Sequence, residues 1–376
     1  MRYASLFLLF IILLCLTVTA IAEDTGYDIC YPNAMEATDS SGKPQILYTA
    51  RANNNLRKLS QPDTQSQAVG TLRLRDVVNI FGFDQYWLFC WDEKVGVYYL
   101  RRHNVVELTP VSEDVPPYGV IYNAFIAVTS KDTVLYASPD KGANQIDRYP
   151  AGTRMSFWLI KDGWAVVPYK RLVGYIYLGD LEELTPVAPT VEYAQEGDII
   201  AAFTTFYSVA TTKLNVGRME NIRVGCAYIS KTYQPGEEFD FNGIAGPYRR
   251  NRGYMPSPVL IDGATVSGYG GGTCQVSTTL YNTILQIPEG ITILFRKPHG
   301  PSGASYAPHG VDAAVGREDL NLVFRNDFSF PITLDCTAQN GSLCICIRKG
   351  EYALPQAETS DVLETVAQEN DAQPEA

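Results

Sequence analysis

Hydrophobic and polar residues alternate over short segments in the first half of the chain. Segments rich in Val, Tyr, Ile and Trp, such as YWLFCWDEKVGVYYL at 86–100, are separated by turns containing Gly, Asp and Lys. This pattern is typical of short antiparallel strands. From about residue 199 the apolar segments are longer, and residues 215–229 have helical spacing. We therefore expect an all-β first half followed by a mixed α+β domain.

Two segments of the first half resemble each other. GWAVVPYKRLVGYIYL at 163–178 repeats the pattern of 86–100, and Trp164 follows Trp87 by 77 residues. A near-constant spacing indicates that one unit has been duplicated. Both units resemble bacterial Src-homology-3-like (SH3-like) domains, which predicts two small all-β barrels at 44–110 and 119–187. Such modules commonly bind the cell wall, and a role as a spacer or packing domain is the alternative.

The amino-terminal residues predict export. Arg2 precedes a 13-residue, mostly apolar segment at 6–18, and Ala20-Ile21-Ala22 follows. The apolar segment is shorter than the roughly 20 residues needed to span a bilayer, and the small residues fit a signal peptidase site. We interpret residues 1–22 as a secretory signal peptide, which predicts an extracytoplasmic, cell-envelope location. An uncleaved membrane anchor is the alternative.

Composition also separates the remaining segments. Residues 188–198 contain Pro and polar residues and are predicted to be a linker to the mixed α+β domain at 199–350. Residues 351–376 contain seven carboxylates and no Lys or Arg, which is typical of an acidic disordered tail. That tail carries −7 of the net charge of −11. No basic surface for nucleic acid is predicted.

The cysteine count bears on redox chemistry. Removal of the signal peptide leaves seven of the eight cysteines, and an odd number in an exported protein suggests one free thiol. If any of these cysteines form a disulfide, the simplest choice is Cys336 with Cys344 or Cys346, because Asn340-Gly341 predicts a hairpin turn between them. A reducing envelope would leave all of them free.

The sequence GGGTCQVSTTLYN at 270–282 places a cysteine after three glycines, at the start of a helical pattern. Glycines accommodate the positive φ of a strand-to-helix turn, and Thr273 is predicted to be the N-cap. Cys274 would then lie in the first helical turn, where N–H groups and the helix dipole favour a thiolate and bind an oxyanion. An ordinary helix with a buried cysteine is the alternative. The candidate oxyanion- and substrate-binding residues are Gly271, Gly272, Thr273, Gln275, Ser277, Thr278 and Tyr281.

Acyl transfer through a thiolate needs a proton carrier beside the sulfur. The chain has three histidines, and two of them, His299 and His309, lie in the Pro- and Gly-rich segment 296–315. Asp312 in the same segment is a candidate to orient the imidazole, and a turn-capping role is its alternative. Zinc ligands at the usual spacing are missing from the sequence, so we expect no metal or cofactor.

Five segments together resemble the VanW domain over about 205–348. They are QPGEEFDFNGIAGP (234–247), RGY (252–254), GGGTCQVSTTLYN (270–282), YAPHGVDAAV (306–315) and FRNDFSFPI (324–332). VanW proteins were first noticed beside vancomycin-resistance genes, and members resemble L,D-transpeptidases. The resemblance implies that Cys274 attacks the third residue of a peptidoglycan tetrapeptide stem. It also implies His299 as general base and acid, ahead of His309.

The sequence therefore suggests three alternative functions. The first is an exported cysteine acyltransferase, an L,D-transpeptidase that cross-links peptidoglycan through a Cys274 thioester. The second is a cysteine endopeptidase or amidase of the NlpC type, in which water replaces the acceptor amine. The third is a non-catalytic protein that binds the cell wall, for which Cys274 is expected to be buried or disulfide-bonded.

Overall fold

The computed structural model describes residues 43–83, 87–111, 120–170, 172–261, 264–299, 304–308 and 310–354. Within these ranges the chain is mostly β, with 24 strands in six sheets and three α-helices. The predicted signal peptide, His309 and all but the first four residues of the predicted tail lie outside the described residues. No helix in the described ranges is both long and apolar enough to cross a membrane.

The first repeated unit forms a seven-stranded antiparallel sheet with the order β3-β2-β6-β5-β4-β1-β7. Alternate residues of its strands, such as Val78, Ile80, Leu88 and Leu100, are buried in a common core. The two outer strands are not paired with each other in the described part of the chain, so the predicted closed barrel is not seen. The strands are β1 (Tyr48–Ala52), β2 (Leu56–Leu59), β3 (Ala68–Leu72), β4 (Val77–Phe83), β5 (Trp87–Asp92), β6 (Gly96–Arg101) and β7 (Val105–Pro110).

The second repeated unit has a similar order of elements divided between two sheets. Trp164 begins a strand as Trp87 does, and a short 3-10 helix precedes the last strand of each unit. At Trp158 the chain passes from the three-stranded sheet β11-β8-β15 into the five-stranded sheet β10-β9-β14-β13-β12. Neither sheet closes on itself within the described residues. The strands are β8 (Phe125–Thr129), β9 (Thr133–Tyr136), β10 (Gln145–Tyr149), β11 (Arg154–Phe157), β12 (Leu159–Lys161), β13 (Trp164–Tyr169), β14 (Leu172–Tyr177) and β15 (Leu181–Pro186).

The third unit combines sheets and helices, as the sequence predicts. Its sheets have the orders β16-β24-β23-β17, β18-β22-β21 and β19-β20. The strands are β16 (Ile199–Phe206), β17 (Thr232–Tyr233), β18 (Glu238–Asp240), β19 (Pro256–Ile261), β20 (Ala264–Tyr269), β21 (Ile291–Arg296), β22 (Leu322–Asn326), β23 (Ile332–Gln339) and β24 (Ser342–Lys349). The helices are α1 (Lys213–Ile229), α2 (Phe241–Ala245) and α3 (Thr273–Ile284).

Helix α3 lies at the centre of this unit. Val276, Leu280 and Ile284 recur at helical spacing and are at most 1% exposed. They pack in one core with residues of α1 and of the four-stranded sheet. Burial of each such side chain contributes about 1.5–3 kcal/mol. The core therefore holds the first turn of α3, and with it Cys274, in a fixed position.

The predicted hairpin at Asn340-Gly341 joins β23 to β24. Both turn residues have positive φ, 53° and 84°, as this two-residue turn requires. Cys336 lies opposite Ile345 in the hairpin. It therefore faces the other side of the sheet from Cys344 and Cys346, because neighbouring residues of a strand alternate in direction. The suggested disulfide is not formed, since Cys336, Cys344 and Cys346 all have free thiols.

A buried ion pair connects the second repeated unit to this sheet. Both terminal nitrogens of Arg154 lie 2.9 Å from the carboxylate of Asp335. Arg348 approaches the same carboxylate at 3.1 Å. The Asp335 side chain is 8% exposed and its two partners are 15% and 14% exposed. Removing the carboxylate would leave two nearly buried cations without their counter-charge.

We expect Asp335→Asn to lower the free energy of unfolding by about 3 kcal/mol, since it breaks a buried ion pair. Urea denaturation followed by circular dichroism measures this change. The control is Asp319→Asn, which removes an exposed partner of Arg317 and is expected to have a much smaller effect, because water screens an exposed ion pair. Equal effects of the two substitutions would contradict the prediction.

Candidate active site

Three glycines turn the chain from β20 into α3. Gly270 and Gly272 have φ of 82° and 111°, which residues with a side chain rarely adopt. At Gly271 an added Cβ would lie 2.2 Å from the carbonyl oxygen of Pro258. The glycine triplet is therefore required by the geometry of the turn that presents the next two residues.

Helix α3 begins at Thr273, with Gly272 as its N-cap. The prediction that Thr273 is the N-cap is wrong. Its backbone is already helical, and its hydroxyl donates instead to the carbonyl oxygen of Gly270 at 2.8 Å. Cys274 is the second helical residue, as expected for the first turn, and it is half-buried with a free thiol.

The backbone N–H groups of this turn differ in availability. Those of Thr273 and Gln275 donate to the carbonyl oxygens of Gly270 and Gly272 at 3.1 and 2.9 Å. The N–H of Cys274 has no hydrogen-bond partner in the described part of the chain. The Cys274 N–H is therefore available to bind an oxygen that develops negative charge beside the sulfur.

His299 and Asp312 meet beside this turn. The Nδ1 atom of His299 lies 2.6 Å from Oδ2 of Asp312, and the backbone N–H of His299 donates to the same oxygen at 2.7 Å. The imidazole also interacts with Cys274, which helps to raise the pKa of His299. Because Nδ1 is committed to the carboxylate, we assign Nε2 to the side of the sulfur. Cysteine, histidine and aspartate thus lie together as one interacting group.

The peptide group of Val315 faces the sulfur as well. Its N–H donates to Sγ of Cys274 at 3.4 Å, and its carbonyl oxygen accepts from the thiol at the same distance. A backbone N–H directed at the sulfur stabilises a thiolate, and the carbonyl oxygen accepts a hydrogen bond when the thiol is protonated. Both protonation states of the thiol therefore have a polar partner.

Three residues predicted to line a polar site are buried and hold the histidine-bearing segment in place. The hydroxyl of Ser277 donates to the carbonyl oxygen of Ala313 at 2.7 Å. The hydroxyl of Thr278 accepts from the N–H of Ala313 at 3.0 Å. Tyr281 is 8% exposed, and the guanidinium of Arg296 lies 4.9 Å from the centre of its ring. These contacts favour a supporting role over direct contact with substrate.

Gln275 also has a supporting position. Its side-chain N–H₂ donates to the hydroxyl of Thr205 at 2.9 Å and to the carbonyl oxygen of Phe206 at 3.1 Å. Its side-chain oxygen accepts from Arg218 at 2.5 Å. Since both ends of the amide group are engaged, the Gln275 side chain is not a free oxyanion donor.

Arg218 of α1 is a component that the sequence did not reveal. Besides its bond to Gln275, its charge interacts with Cys274 and Tyr306. A cation fixed near the sulfur stabilises negative charge that forms there. Arg218 belongs to no recognisable motif and lies far from Cys274 in sequence. Only the packing of α1 against α3 brings the two residues together.

The charges of the histidine and the aspartate depend on each other. Burial alone would lower the pKa of His299, but the hydrogen bond with Asp312 and the neighbouring Cys274 raise it to about 9. Burial would raise the pKa of Asp312, but the bonds from His299 and the charge of Arg296 hold it below its usual range. At neutral pH the pair is an imidazolium and a carboxylate. The imidazolium can therefore stabilise a thiolate and supply a proton.

A cavity of about 610 Å³ is lined by residues from segments that adjoin the site. Gly316, which follows Val315, lies in its wall. Tyr248 also lines the cavity, and burial, with a smaller contribution from the charge of Cys274, raises the pKa of this tyrosine. Volumes of this size are typical of sites for small ligands. The wall residues are Asn242, Gly246, Pro247, Tyr248, Arg249, Tyr269, Gly316, Arg317, Glu318 and Asn321.

Residues 217–348 match a protein family described as VanW like protein. The match begins in α1 and ends in β24, so it contains Cys274, His299 and Asp312. The chain is 34% identical over 134 residues to YoaR of Bacillus subtilis (strain 168), covering 35% of this chain and 43% of YoaR. It is 31% identical over 110 residues to the vancomycin B-type resistance protein VanW of Enterococcus faecalis, covering 28% and 37%. The chain thus spans less than half the length of either relative.

The solved structures that match in a comparison of folds include two from Trichomonas vaginalis. NlpC2 of Trichomonas vaginalis has a TM-score of 0.15 at 10% identity, covering 83% of this chain and all of that one. NlpC1 of the same organism has a TM-score of 0.16 at 12% identity, covering 85% and 97%. Similarity at these TM-scores provides no evidence for a common fold.

We expect the His299 ring to titrate near pH 9 in the folded protein, well above the ordinary value of 6.5. Because the folded pKa is raised, the interaction stabilises the fold fully below about pH 6.5 and is lost as the pH rises through about 9. Asp312→Asn should lower the midpoint, since a neutral amide no longer stabilises the imidazolium. NMR titration of the imidazole signals measures this midpoint, and the His299 signal is identified by its loss in His299→Gln. An unchanged midpoint in Asp312→Asn, or a lower one in the control Asp327→Asn, would contradict this account.

Proposed function

We propose that this chain is an exported cysteine acyltransferase, an L,D-transpeptidase that cross-links peptidoglycan. One observation carries the proposal. Cys274 lies at the start of a helix and interacts with His299, whose Nδ1 atom lies 2.6 Å from Asp312. A nucleophile, a proton carrier and a group that orients the carrier are what acyl transfer through a thioester requires. A free, half-buried thiol also differs from what a non-catalytic wall protein predicts.

In the first half of the proposed reaction, the thiolate of Cys274 attacks the carbonyl carbon of the third residue in a tetrapeptide stem. A carbon–sulfur bond forms, and the carbonyl electrons move to the oxygen, which the N–H of Cys274 stabilises. The carbon–nitrogen bond then breaks. His299 gives its proton to the departing amine, so the last residue leaves as a neutral amine and the acyl group remains as a thioester.

In the second half, an amine of a neighbouring stem attacks the thioester. His299 accepts the proton that the amine loses, the carbon–sulfur bond breaks, and the thiolate is restored. Asp312 keeps Nδ1 of the imidazole occupied, so that proton transfer takes place at Nε2. If water replaced the amine, the same steps would give hydrolysis.

The comparisons support a cell-wall substrate in one respect. The matched relative from Enterococcus faecalis is named as a vancomycin resistance protein, and vancomycin resistance concerns peptidoglycan stem peptides. We further propose that residues 1–22 direct export and that the units at 44–110 and 119–187 are SH3-like modules that bind the wall. The recurrent order of their short antiparallel strands supports that second point.

We expect the protein from residue 23 onward to convert purified disaccharide-tetrapeptide into cross-linked dimers that lack one D-alanine. Cys274→Ala should form none, because the thioester cannot form. Mass spectrometry of the products measures both. The matched control is Cys336→Ala, which removes another half-buried thiol and should retain activity. Shortened monomers without dimers would indicate a peptidase, and an unchanged substrate would contradict enzymatic function.

His299→Gln is expected to lower kcat by about 10²- to 10⁴-fold, the usual contribution of general acid–base catalysis. Asp312→Asn should also lower kcat, because the imidazole loses its orienting partner and its stabilised proton. Substrate binding depends on other groups, so KM should change much less. Steady-state product formation measures both constants. A His299→Gln protein with normal kcat would exclude this histidine as the proton carrier.

A further inference from the structure

We propose that Arg249 binds a carboxylate of the substrate, and that this carboxylate belongs to the residue that leaves during acylation. The proposal rests on the proposed function, since it concerns the cavity beside Cys274. It assigns the first specificity-determining contact to a residue outside the cysteine–histidine–aspartate series. The proposal is supported by the position of the cavity, by the hydrogen bonds that already occupy its side-chain amides, and by the charges in its wall.

One wall of the cavity adjoins the peptide group that contacts the sulfur. Gly316 in its wall follows Val315, whose N–H and carbonyl oxygen both lie 3.4 Å from the sulfur of Cys274. An extended peptide advances about 3.3–3.6 Å per residue. A group one residue beyond the attacked carbonyl can therefore lie inside the cavity. In the proposed reaction that group is the terminal residue of the stem, which carries a free carboxylate.

The two side-chain amides of the wall are already engaged. The side-chain oxygen of Asn242 accepts from the hydroxyl of Tyr248 at 2.8 Å and from the N–H of Gly316 at 3.0 Å. Its N–H₂ donates to the carbonyl oxygens of Arg317 and Leu320 at 3.0 and 2.8 Å. Asn321 is engaged similarly, since its N–H₂ donates to Asp240 and its oxygen accepts two backbone N–H groups. These amides shape the wall and leave recognition to charged groups.

The charged groups of the wall are not equivalent. Arg317 forms an ion pair with Asp319 at 3.1 Å. Arg249 is exposed, and its guanidinium has no hydrogen-bond or ion-pair partner within the described ranges. Glu318 is also exposed and unpaired there. The cavity thus offers a ligand one unpaired cation and one unpaired anion.

This charge pattern selects the class of ligand. A guanidinium binds a carboxylate through two parallel hydrogen bonds, which gives both strength and orientation. Glu318 repels further negative charge, so a group with several charges, such as a phosphate, is disfavoured. The geometry fits a peptide with a single terminal carboxylate. A substrate whose terminal carboxylate is converted to an amide should lose the contact with Arg249.

The test is equilibrium binding, measured by calorimetry in protein carrying Cys274→Ala so that no reaction occurs. The ligands are a stem tetrapeptide with a free terminal carboxylate and the same peptide as a terminal amide. We expect Arg249→Gln to weaken binding of the carboxylate peptide by about 10- to 100-fold and to leave binding of the amide peptide unchanged. The matched control is Arg250→Gln, which removes a neighbouring exposed arginine outside the cavity wall and should change neither.

Other results would overturn the assignment. The assignment would be contradicted if Arg249→Gln weakened binding of the two peptides equally or had no effect on binding. It would also be contradicted if Arg250→Gln weakened binding as much, or if neither peptide bound. Circular dichroism of Arg249→Gln checks that the variant is folded. Because the binding assay needs no thiol, it is separate from catalysis. Binding that depends on Arg249 in a protein without acyltransferase activity would refute the proposed function and retain the carboxylate site.

Discussion

The site depends on the hydrogen bonds that join helix α3 to the backbone of Ala313. Ser277 and Thr278 supply these bonds from the face of α3 that also carries Cys274, one turn further along the helix. Ala313 directly follows Asp312, so the same contacts place the carboxylate that holds His299. The nucleophile and its proton carrier come from segments separated in sequence, and these buried hydrogen bonds set the distance between the two segments. Because these bonds are buried, an unpaired hydroxyl or peptide group there would be costly.

The same constraint explains the electrostatics. Asp312 is 1% exposed, and a carboxylate so deeply buried remains charged only beside compensating groups. His299 provides a charged hydrogen bond, and Arg296 donates to the backbone oxygen of Asp312 at 2.7 Å while its charge lies near the carboxylate. The imidazolium retains its proton for the same reason. Imidazole and carboxylate therefore form one charged pair, which the surrounding loop holds near the sulfur.

Features that depend only on residues close together in the sequence could be predicted from it. The glycine triplet, the helix that follows it and the approach of His299 to Asp312 involve local backbone geometry or a single loop. Thr273 was misassigned because Gly272, with its positive φ, takes the capping position instead. The roles of Arg218, Ser277 and Thr278 depend on packing between distant segments, which no local pattern encodes. The pairing of the outer strands in the repeated units is likewise a long-range property, and the expected barrel closure could not be derived from alternation alone.

The central claim is that the sulfur of Cys274 carries the acyl group between donor and acceptor. The most direct measurement is rapid-quench intact mass spectrometry of the protein mixed with donor tetrapeptide and no acceptor. We expect a transient mass increase equal to the acyl tripeptide portion, located at Cys274 by peptide mapping and released by hydroxylamine. Turnover of the donor with an unmodified Cys274 at every time point, or an acyl group located on another residue, would contradict it.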